Sequence, residues 1–173
     1  MKYLVVSDNH GNRDCLIDIE NKWQNKVDYM FHCGDSELDP FDNIWEVYNV
    51  VKGNCDYDSE YQVKKVIDTG QDVVFLTHGH LFNVNVAMEH LLSSAKEAGA
   101  NIVLYGHTHK LGVEKRQGIL FLNPGSISQP RGRFSHLKTY AIIEHRTDGI
   151  HVDYYNEQHE VQPDLSFFFP NDK

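Results

Sequence analysis

The sequence predicts an α/β fold in which helices cover either one mixed sheet or two packed sheets. Short apolar strands alternate with helical patterns through the N-terminal half, and hairpin patterns centred on glycine-containing turns fill much of the C-terminal half. The 173 residues also contain no linker, internal repeat or low-complexity segment. This length and continuity predict one domain over residues 1–173.

Short apolar runs define the strands of the N-terminal half. In chain order, strands are expected over residues 2–6, 27–33, 47–51, 61–68, 73–76 and 102–105. Residues 13–24 carry apolar side chains at roughly helical spacing and follow Asn12, a residue type favoured as a helix N-cap. Residues 84–98 show the same spacing and predict a second helix, and residues 41–46 predict a short one.

Two hairpins and an aromatic tail complete the chain. Strands are expected over residues 113–116 and 119–122, around Gln117-Gly118, and over residues 139–144 and 150–155, around Thr147-Asp148-Gly149. The tail over residues 163–173 carries three consecutive phenylalanines, Phe167 to Phe169, which we expect to pack over the core. The alternative is that they are exposed and form a subunit contact in a homo-oligomer.

Composition and charge exclude several classes of protein. The chain is 40% hydrophobic and 24% charged, which is ordinary for a globular domain. No apolar run is long enough to cross a bilayer, and the N-terminal run ends at Ser7, too early for a signal peptide, so we expect a cytosolic protein without a membrane partner. The formal net charge of -9 disfavours extended nucleic-acid binding. Cys15, Cys33 and Cys55 lack zinc-finger spacing and are expected to be thiols.

Clusters of polar residues follow five of the apolar strands. Their candidate metal ligands are, in chain order, Asp8, His10, Asp35, Asn54, His78, His107 and His109. If the strands run in the same direction, the clusters converge on one cleft beyond the carboxyl ends of the strands. Oxygen and imidazole donors suit first-row divalent metals, and seven donors exceed one four-coordinate site. Two metals about 3.5–4 Å apart that share one carboxylate would use the whole set.

Each cluster also has a structural explanation when it is taken alone. A helix-capping loop would explain Asp8 and His10, and ordinary turns would explain Asp35 and Asn54. A packed pair of rings would explain His78 with His80. Two divalent ions, however, bring about four positive charges, of which the two aspartates cancel about two. The surplus can hold a phosphate anion and a metal-bound hydroxide, which predicts hydrolysis of a phosphoester.

Five short blocks of the sequence resemble, in order, the five motifs of calcineurin-like metallophosphoesterases. The blocks are Ser-Asp-Asn-His-Gly at 7–11, Cys-Gly-Asp at 33–35, Val-Lys-Gly-Asn-Cys-Asp at 51–56, Thr-His-Gly-His at 77–80 and Tyr-Gly-His-Thr-His at 105–109. The similarity is greatest to the small prokaryotic phosphodiesterase branch, whose third block reads Gly-Asn-Cys-Asp. Asn-Pro-Gly-Ser at 123–126 and Pro-Arg at 130–131 also resemble that branch.

The resemblance implies a fold, an activity and a set of ligands. The family fold has two mixed sheets packed face to face between flanking helices, a four-layer α-β-β-α sandwich. The activity is hydrolysis of small phosphodiesters by attack of a metal-bound hydroxide, with manganese as the expected metal and iron, nickel, cobalt or zinc as alternatives. Asp8, His10 and His109 would hold one metal, Asn54, His78 and His107 the other, and Asp35 would bridge them.

One position departs from the family pattern. Many relatives carry a histidine, thought to give a proton to the leaving group, where this chain has Cys55. A neutral thiol is a weak hydrogen-bond donor, and acid assistance is typically worth about 10²–10⁴ in rate. We therefore expect either a preference for reactive leaving groups or another acid, with His80 or metal-bound water as candidates. Arg131 is a candidate phosphate contact, with a plain surface arginine as the alternative.

The rival function is a protein-interaction scaffold of the same fold, either metal-binding or with a degraded metal site, because one retromer subunit resembles this fold and uses it mainly for protein contacts, with a degraded metal site. Every inferred ligand position in this chain retains a competent side chain, including all four histidines. This completeness favours an enzyme over a scaffold. A nuclease is disfavoured by the net charge of -9.

Overall fold

Two mixed β-sheets packed face to face organise residues 1–172, the part of the chain that the computed structural model describes. The helices are α1 (Arg13–Trp23) and α2 (Glu89–Glu97). The strands are β1 (Lys2–Val6), β2 (Tyr29–His32), β3 (Tyr48–Val50), β4 (Lys64–Asp68), β5 (Val73–Thr77), β6 (Ile102–Leu104), β7 (Gly112–Arg116), β8 (Ile119–Asn123), β9 (Thr139–Arg146), β10 (Gly149–Asn156) and β11 (Val161–Pro170). Short 3-10 helices span Asn43–Glu46, His80–Phe82 and Gly132–Phe134. The strand order is β11-β10-β9-β1-β2-β3 in the first sheet and β4-β5-β6-β8-β7 in the second.

Side chains on the two faces of each sheet enter different parts of the core. On β1, Tyr3 and Val5 belong to the cluster between the two sheets. Leu4 and Val6, on the opposite face, pack in the cluster that the first sheet forms with α1. The second sheet packs against α2 in the same way. The predicted four-layer α-β-β-α sandwich is therefore confirmed, and burial on both faces explains why β1 is a continuous apolar run.

The strands that lead to the polar clusters are parallel to one another within each sheet. β1, β2 and β3 pair in parallel in the first sheet, as do β5, β6 and β8 in the second. Their carboxyl ends therefore lie at one edge of each sheet, and hydrogen bonds join the loops that follow. One such bond, from Asp8 N to Gly34 O (3.1 Å), links two loops of the first sheet. Another, from Ile127 N to Ser7 O (3.2 Å), links the two sheets.

The predicted helix over residues 84–98 is wrong at its N-terminal end, because α2 begins at Glu89. The chain ahead of it forms the 3-10 helix His80–Phe82, and Asn83 then adopts a left-handed backbone conformation (φ 56°) that a helix cannot contain. Val84 and Met88 are nonetheless buried in the cluster beneath α2, so their spacing indicated burial and not helix. Within residues 1–172, no helix has the length and apolar character needed to cross a membrane.

The aromatic tail is an edge strand, which its sequence pattern did not predict. β11 pairs antiparallel with β10, and places Phe167 opposite Val152 and Phe169 opposite Ile150. Phe167 and Phe169 pack against the inner core, as expected, whereas Phe168 is 49% exposed. Three adjacent phenylalanines conceal the period-two alternation of a strand. Lys173, the last residue of the predicted tail, lies outside the described residues.

Candidate metal centre

The loops after β1, β2, β3, β5 and β6 bring the seven predicted ligand side chains together. Asp8 Oδ1 lies 3.2 Å from His109 Nε2 and 3.8 Å from His10 Nε2. Asp35 Oδ2 lies 4.0 Å from His10 Nε2. One donor atom from each of these four residues lies within 4.8 Å of the other three, so the four residues form a group that could hold a cation.

The remaining ligands form a second group that shares Asp35. His78 Nε2 lies 3.2 Å from Asp35 Oδ2 and 3.1 Å from Asn54 Oδ1. Asn54 Oδ1 in turn lies 3.0 Å from His107 Nδ1. The Asp35 carboxylate therefore borders both groups, which is the position that a bridging ligand needs.

Hydrogen bonds behind the imidazole rings determine which nitrogen faces the centre. His78 Nδ1 and His109 Nδ1 donate to backbone carbonyl oxygens at 2.7 Å and 2.8 Å. His10 Nδ1 donates to Glu37 Oε1 at 2.8 Å. A neutral imidazole with its proton on Nδ1 carries its lone pair on Nε2, so each of the three rings presents a lone pair to the centre in its neutral form.

Two features of this cluster fit bound cations. The Nε2 atoms of His10 and His109 are 3.2 Å apart, and because both rings carry their proton on Nδ1, their lone pairs face each other. Asp8 Oδ1 is buried without a hydrogen-bond partner among residues 1–172, which costs more than about 1–3 kcal/mol for a charged group. Divalent cations held by Asp8, His10 and His109 would give these atoms the partners that they lack. The residues therefore fit divalent cations.

Electrostatics couple Asp35 to His78. Burial favours the neutral carboxyl, but the hydrogen bond and charge of His78 outweigh burial and hold the pKa of Asp35 well below its ordinary value. Burial also disfavours the charged imidazole, but the hydrogen bond to Asp35 and the charges of Asp8 and Asp35 outweigh it and raise the pKa of His78. A proton and a metal ion would compete for the same nitrogen, so metal binding would release a proton.

The ligands occupy unusual backbone conformations. Asp8 (φ 56°), His10 (φ 42°), Asp35 (φ 56°), His107 (φ 70°) and His109 (φ 60°) all have positive φ values, which residues other than glycine seldom adopt. Such conformations cost about 1–3 kcal/mol each and are concentrated at functional sites. Five of the seven predicted ligands therefore carry backbone strain that the surrounding structure must hold in place.

Two glycines permit close approach between the ligand loops. A β-carbon at Gly53 would lie 2.7 Å from Asp35 Cγ, and a β-carbon at Gly106 would lie 2.7 Å from Asp8 Oδ2. Both contacts are shorter than real β-carbons make. Each glycine directly precedes a predicted ligand, so the motif needs glycine because a carboxylate occupies the space of its missing side chain.

Asp56 holds two ligand loops together, a role that the sequence analysis missed. The residue is buried, and its Oδ2 accepts hydrogen bonds from the amides of Asp35 and Gly53, both at 2.8 Å. Its Oδ1 accepts a third from the amide of Glu37, also at 2.8 Å. Asp56 thereby ties the loop after β2 to the loop after β3. Aspartate near a glycine is also a common turn former, so no signal in the sequence distinguished the two roles.

The proton-donor and phosphate candidates border the ligand cluster. The Cys55 amide donates to Asp35 Oδ1 (2.8 Å), and burial, together with the charge of Asp35, raises the pKa of the Cys55 thiol to about 11. The His80 ring lies 5.4 Å from the ring of His78, and burial, with the charge of neighbouring imidazoles, lowers the pKa of His80. The Arg131 amide donates to a carbonyl of the loop after β6, whereas its side chain is exposed.

Comparison with known proteins identifies phosphoesterases as relatives. A family model for the calcineurin-like phosphoesterase superfamily domain matches residues 1–148. The chain is 36% identical over 165 residues to the probable metallophosphoesterase YsnB of Bacillus subtilis (strain 168), which covers 95% of this chain and 96% of the relative. A crystal structure from Streptococcus pneumoniae TIGR4, described as a predicted phosphoesterase, has a TM-score of 0.95 at 41% identity and covers 98% of this chain and 97% of that one. Phosphodiesterase YfcE of Escherichia coli (strain K12) is 37% identical over 90 residues, or 47% of this chain and 45% of YfcE.

Proposed function

Because the chain belongs to the calcineurin-like phosphoesterase superfamily, we propose that residues 1–173 form a single domain that hydrolyses small phosphodiesters at a two-metal centre. Membership of the family makes the chain a metal-dependent phosphoesterase. The observation that supports the narrower proposal is the ligand cluster. Its imidazole nitrogens that face each other and the oxygen of Asp8 that lacks a hydrogen-bond partner within residues 1–172 suit bound cations.

We assign the seven ligands to two divalent cations. Asp8, His10 and His109 would hold one cation, Asn54, His78 and His107 the other, and Asp35 would be shared. When bound, such a pair supplies a water-derived nucleophile at neutral pH and neutralises charge on the phosphoryl oxygens. The chain contributes by fixing the donors, since hydrogen bonds orient the imidazoles and Gly53 packs against the shared carboxylate. Manganese as the metal and a cytosolic location stay predictions from the sequence.

The proposal includes a preference for reactive leaving groups. A raised pKa keeps the Cys55 thiol neutral at neutral pH, and a neutral thiol is a weak hydrogen-bond donor. A lowered pKa keeps His80 mainly in its neutral form, so the acid assistance that it offers is small as well. Arg131, next to the loop that carries two ligands, is assigned a contact with the phosphate through its exposed guanidinium.

A protein-interaction scaffold, the rival function, accounts less well for this site. A scaffold has no need for five metal-ligand side chains held at positive φ. Nor does it explain a buried carboxylate oxygen on Asp8 that lacks a partner in the described part of the chain. Strain and unpaired buried charge persist where a function depends on them, so both features favour a chain that binds metal at this site over a scaffold whose metal site is degraded.

Turnover of a chromogenic phosphodiester, with and without manganese, tests the proposal. We expect hydrolysis to be lost after chelation and restored by manganese in preference to iron, nickel, cobalt or zinc. Asp35→Asn should lower turnover by more than about 100-fold. Removing only the hydrogen-bond partner of a metal ligand typically costs about 10–100-fold, and loss of the shared ligand itself should cost more. Asp68→Asn is the control, because the Asp68 carboxylate is exposed. Within residues 1–172 it accepts one hydrogen bond, from Gly70 N at 2.8 Å, and the side-chain oxygen of asparagine can accept the same bond. Full turnover by metal-replete Asp35→Asn protein would contradict the assignment.

A further inference from the structure

A second group of metal-binding side chains lies beside the proposed metal centre. One donor atom from each of His10, Glu37 and Cys55 lies within 4.8 Å of the other two. The three residues belong to the loops after β1, β2 and β3, so separate segments of the chain converge on this point. His10 Nδ1 faces Glu37 Oε1 at 2.8 Å, whereas His10 Nε2 faces the centre, 3.2 Å from His109 Nε2. His10 therefore lies between two groups of candidate ligands.

Backbone hydrogen bonds fix this second group, and solvent can reach it. Glu37 N donates to Asp56 Oδ1 and Cys55 N donates to Asp35 Oδ1, both at 2.8 Å. The Glu37 side chain is 42% exposed, and Cys55 is half-buried. A cation in solution can therefore approach the carboxylate and the sulfur together.

The second group differs from the centre because one of its donors is sulfur. Thiolate, carboxylate and imidazole are the three ligand types that hold zinc in proteins. Sulfur donors select zinc and softer cations, whereas oxygen donors suit manganese. The sulfur comes from Cys55, the position at which the sequence departs from the family pattern. The two neighbouring groups therefore favour different cations.

We propose that His10, Glu37 and Cys55 form an inhibitory site for a sulfur-preferring divalent cation such as zinc, which excludes the cation that His10 would share with Asp8 and His109. The inference rests on the proposed function, because inhibition requires that the excluded cation be a catalytic one. A neutral imidazole has one lone pair, so His10 can serve one group at a time. When zinc takes the lone pair at Nδ1, the ring proton lies on Nε2, and Nε2 can no longer bind a cation. The Cys55 thiol loses its proton to solvent when it binds the cation, as coordinating thiols do.

Cadmium binding to the metal-free chain detects the sulfur ligand without an assay of turnover. A cadmium–thiolate bond gives a charge-transfer band in the ultraviolet, which oxygen and nitrogen ligands do not give. We expect this band in the wild type and its absence in Cys55→Ser. Glu37→Gln loses a carboxylate ligand but keeps an acceptor for His10 Nδ1, and should weaken cadmium binding at least about tenfold. Excess manganese should weaken the band at a fixed cadmium concentration, because both cations need the lone pair of His10.

Cys15→Ser is the matched control for the loss of a thiol. Cys15 is also half-buried, and it lies outside both groups of candidate ligands within residues 1–172. Its Sγ donates a hydrogen bond to Asn12 O (3.1 Å), which a serine hydroxyl can replace. The cadmium–thiolate band of Cys15→Ser should therefore equal that of the wild type.

Inhibition by zinc measures the exclusion of the catalytic cation. With manganese present, zinc should inhibit hydrolysis of a chromogenic diester, and the zinc concentration for half-inhibition should rise as manganese is increased. In Cys55→Ser, that zinc concentration should be at least about tenfold higher, with inhibition measured relative to the variant's own turnover without zinc. Cys15→Ser should require the same zinc concentration as the wild type.

The outcomes separate the site from the proposed function. Absence of the band in the wild type, or its persistence in Cys55→Ser, would overturn the site. A band that excess manganese leaves unchanged would contradict the exclusion. Equal zinc inhibition of Cys55→Ser and the wild type would mean that zinc acts at the centre itself, and the inhibitory role would be wrong. If no diester is hydrolysed with any metal, the proposed function fails, and the cadmium band with its response to manganese still decides the site.

Discussion

Replacing Asp56 by asparagine separates the positioning of the ligand loops from metal ligation itself. The Asp56 carboxylate accepts three backbone amides, those of Asp35 and Gly53 at Oδ2 and that of Glu37 at Oδ1, all at 2.8 Å. Asparagine has the same shape but only one acceptor oxygen, because its other terminal atom is a donor nitrogen. In Asp56→Asn, that nitrogen must face at least one amide N–H, donor against donor.

The size of the effect follows from these bonds. In the less damaging orientation, the amide oxygen of Asn keeps the amides of Asp35 and Gly53, and only the amide of Glu37 loses its acceptor. A hydrogen bond to a charged group contributes about 1.5–3 kcal/mol, and an unpaired buried donor costs about 1–3 kcal/mol. We expect Asp56→Asn to lower the free energy of unfolding by about 2–3 kcal/mol. For a chain of this length, that loss lowers the melting temperature by roughly 4–12 °C.

The metal requirement distinguishes positioning from stability alone. Because Asp56 holds the loop that carries Asp35, the manganese concentration for half-maximal activity should rise about 10–100-fold in Asp56→Asn. Manganese titration of the hydrolysis of a chromogenic diester, well below the melting temperature, measures this rise. Asp68→Asn, which can keep its single hydrogen bond to Gly70 N, should behave like the wild type. A wild-type manganese requirement in Asp56→Asn would refute the positioning role even if the melting temperature falls.

Three further predictions concern other parts of the centre. Gly53→Ala would place a methyl group 2.7 Å from Asp35 Cγ, and turnover should fall by about 100-fold with an unchanged circular dichroism spectrum; wild-type turnover would exclude this crowding. Manganese at 100 times its Kd should raise the calorimetric melting temperature by roughly 5–10 °C, since binding to the folded state adds about 2.7 kcal/mol; an unchanged melting temperature would argue against binding. Cys55→His should increase turnover of a diester with a poor leaving group relative to a reactive one, and an unchanged ratio would exclude the proton-donor interpretation.

The strands that carry the centre can be read from the sequence because they are buried on both faces. β1 and β5 are apolar runs followed at once by turn formers, so both the strand and the start of its loop are apparent. β1 is parallel to β2, and β5 is parallel to β6, so the loops at the carboxyl ends of each pair lie at the same edge of the sheet. The grouping of the polar clusters could therefore be predicted on one assumption, that the strands before them run in the same direction, and this assumption is correct within each sheet.

Other features depend on partners that are distant in the sequence, and local patterns cannot reveal them. β11 is a strand because β10 offers it an edge to pair with, not because its own residues alternate. Asp56 acquires its role from the amides of Asp35 and Glu37, which are 21 and 19 residues away. The start of α2 at Glu89 depends on the left-handed conformation of Asn83, which apolar spacing does not report.

The two sheets are joined by polar contacts at opposite ends of the sandwich. Where β5 begins, the buried carboxylate of Asp72 accepts hydrogen bonds from Tyr3 OH (2.6 Å) and Asn101 Nδ2 (2.7 Å), and lies 2.8 Å from His145 Nδ1. Tyr3 and His145 belong to the first sheet, whereas Asp72 and Asn101 precede strands of the second. At the other end, the proposed cations would draw their ligands from loops of both sheets, and would crosslink them as the Asp72 hydrogen bonds do. Loss of metal should therefore loosen the ligand loops, while the apolar core and the Asp72 contacts keep the fold.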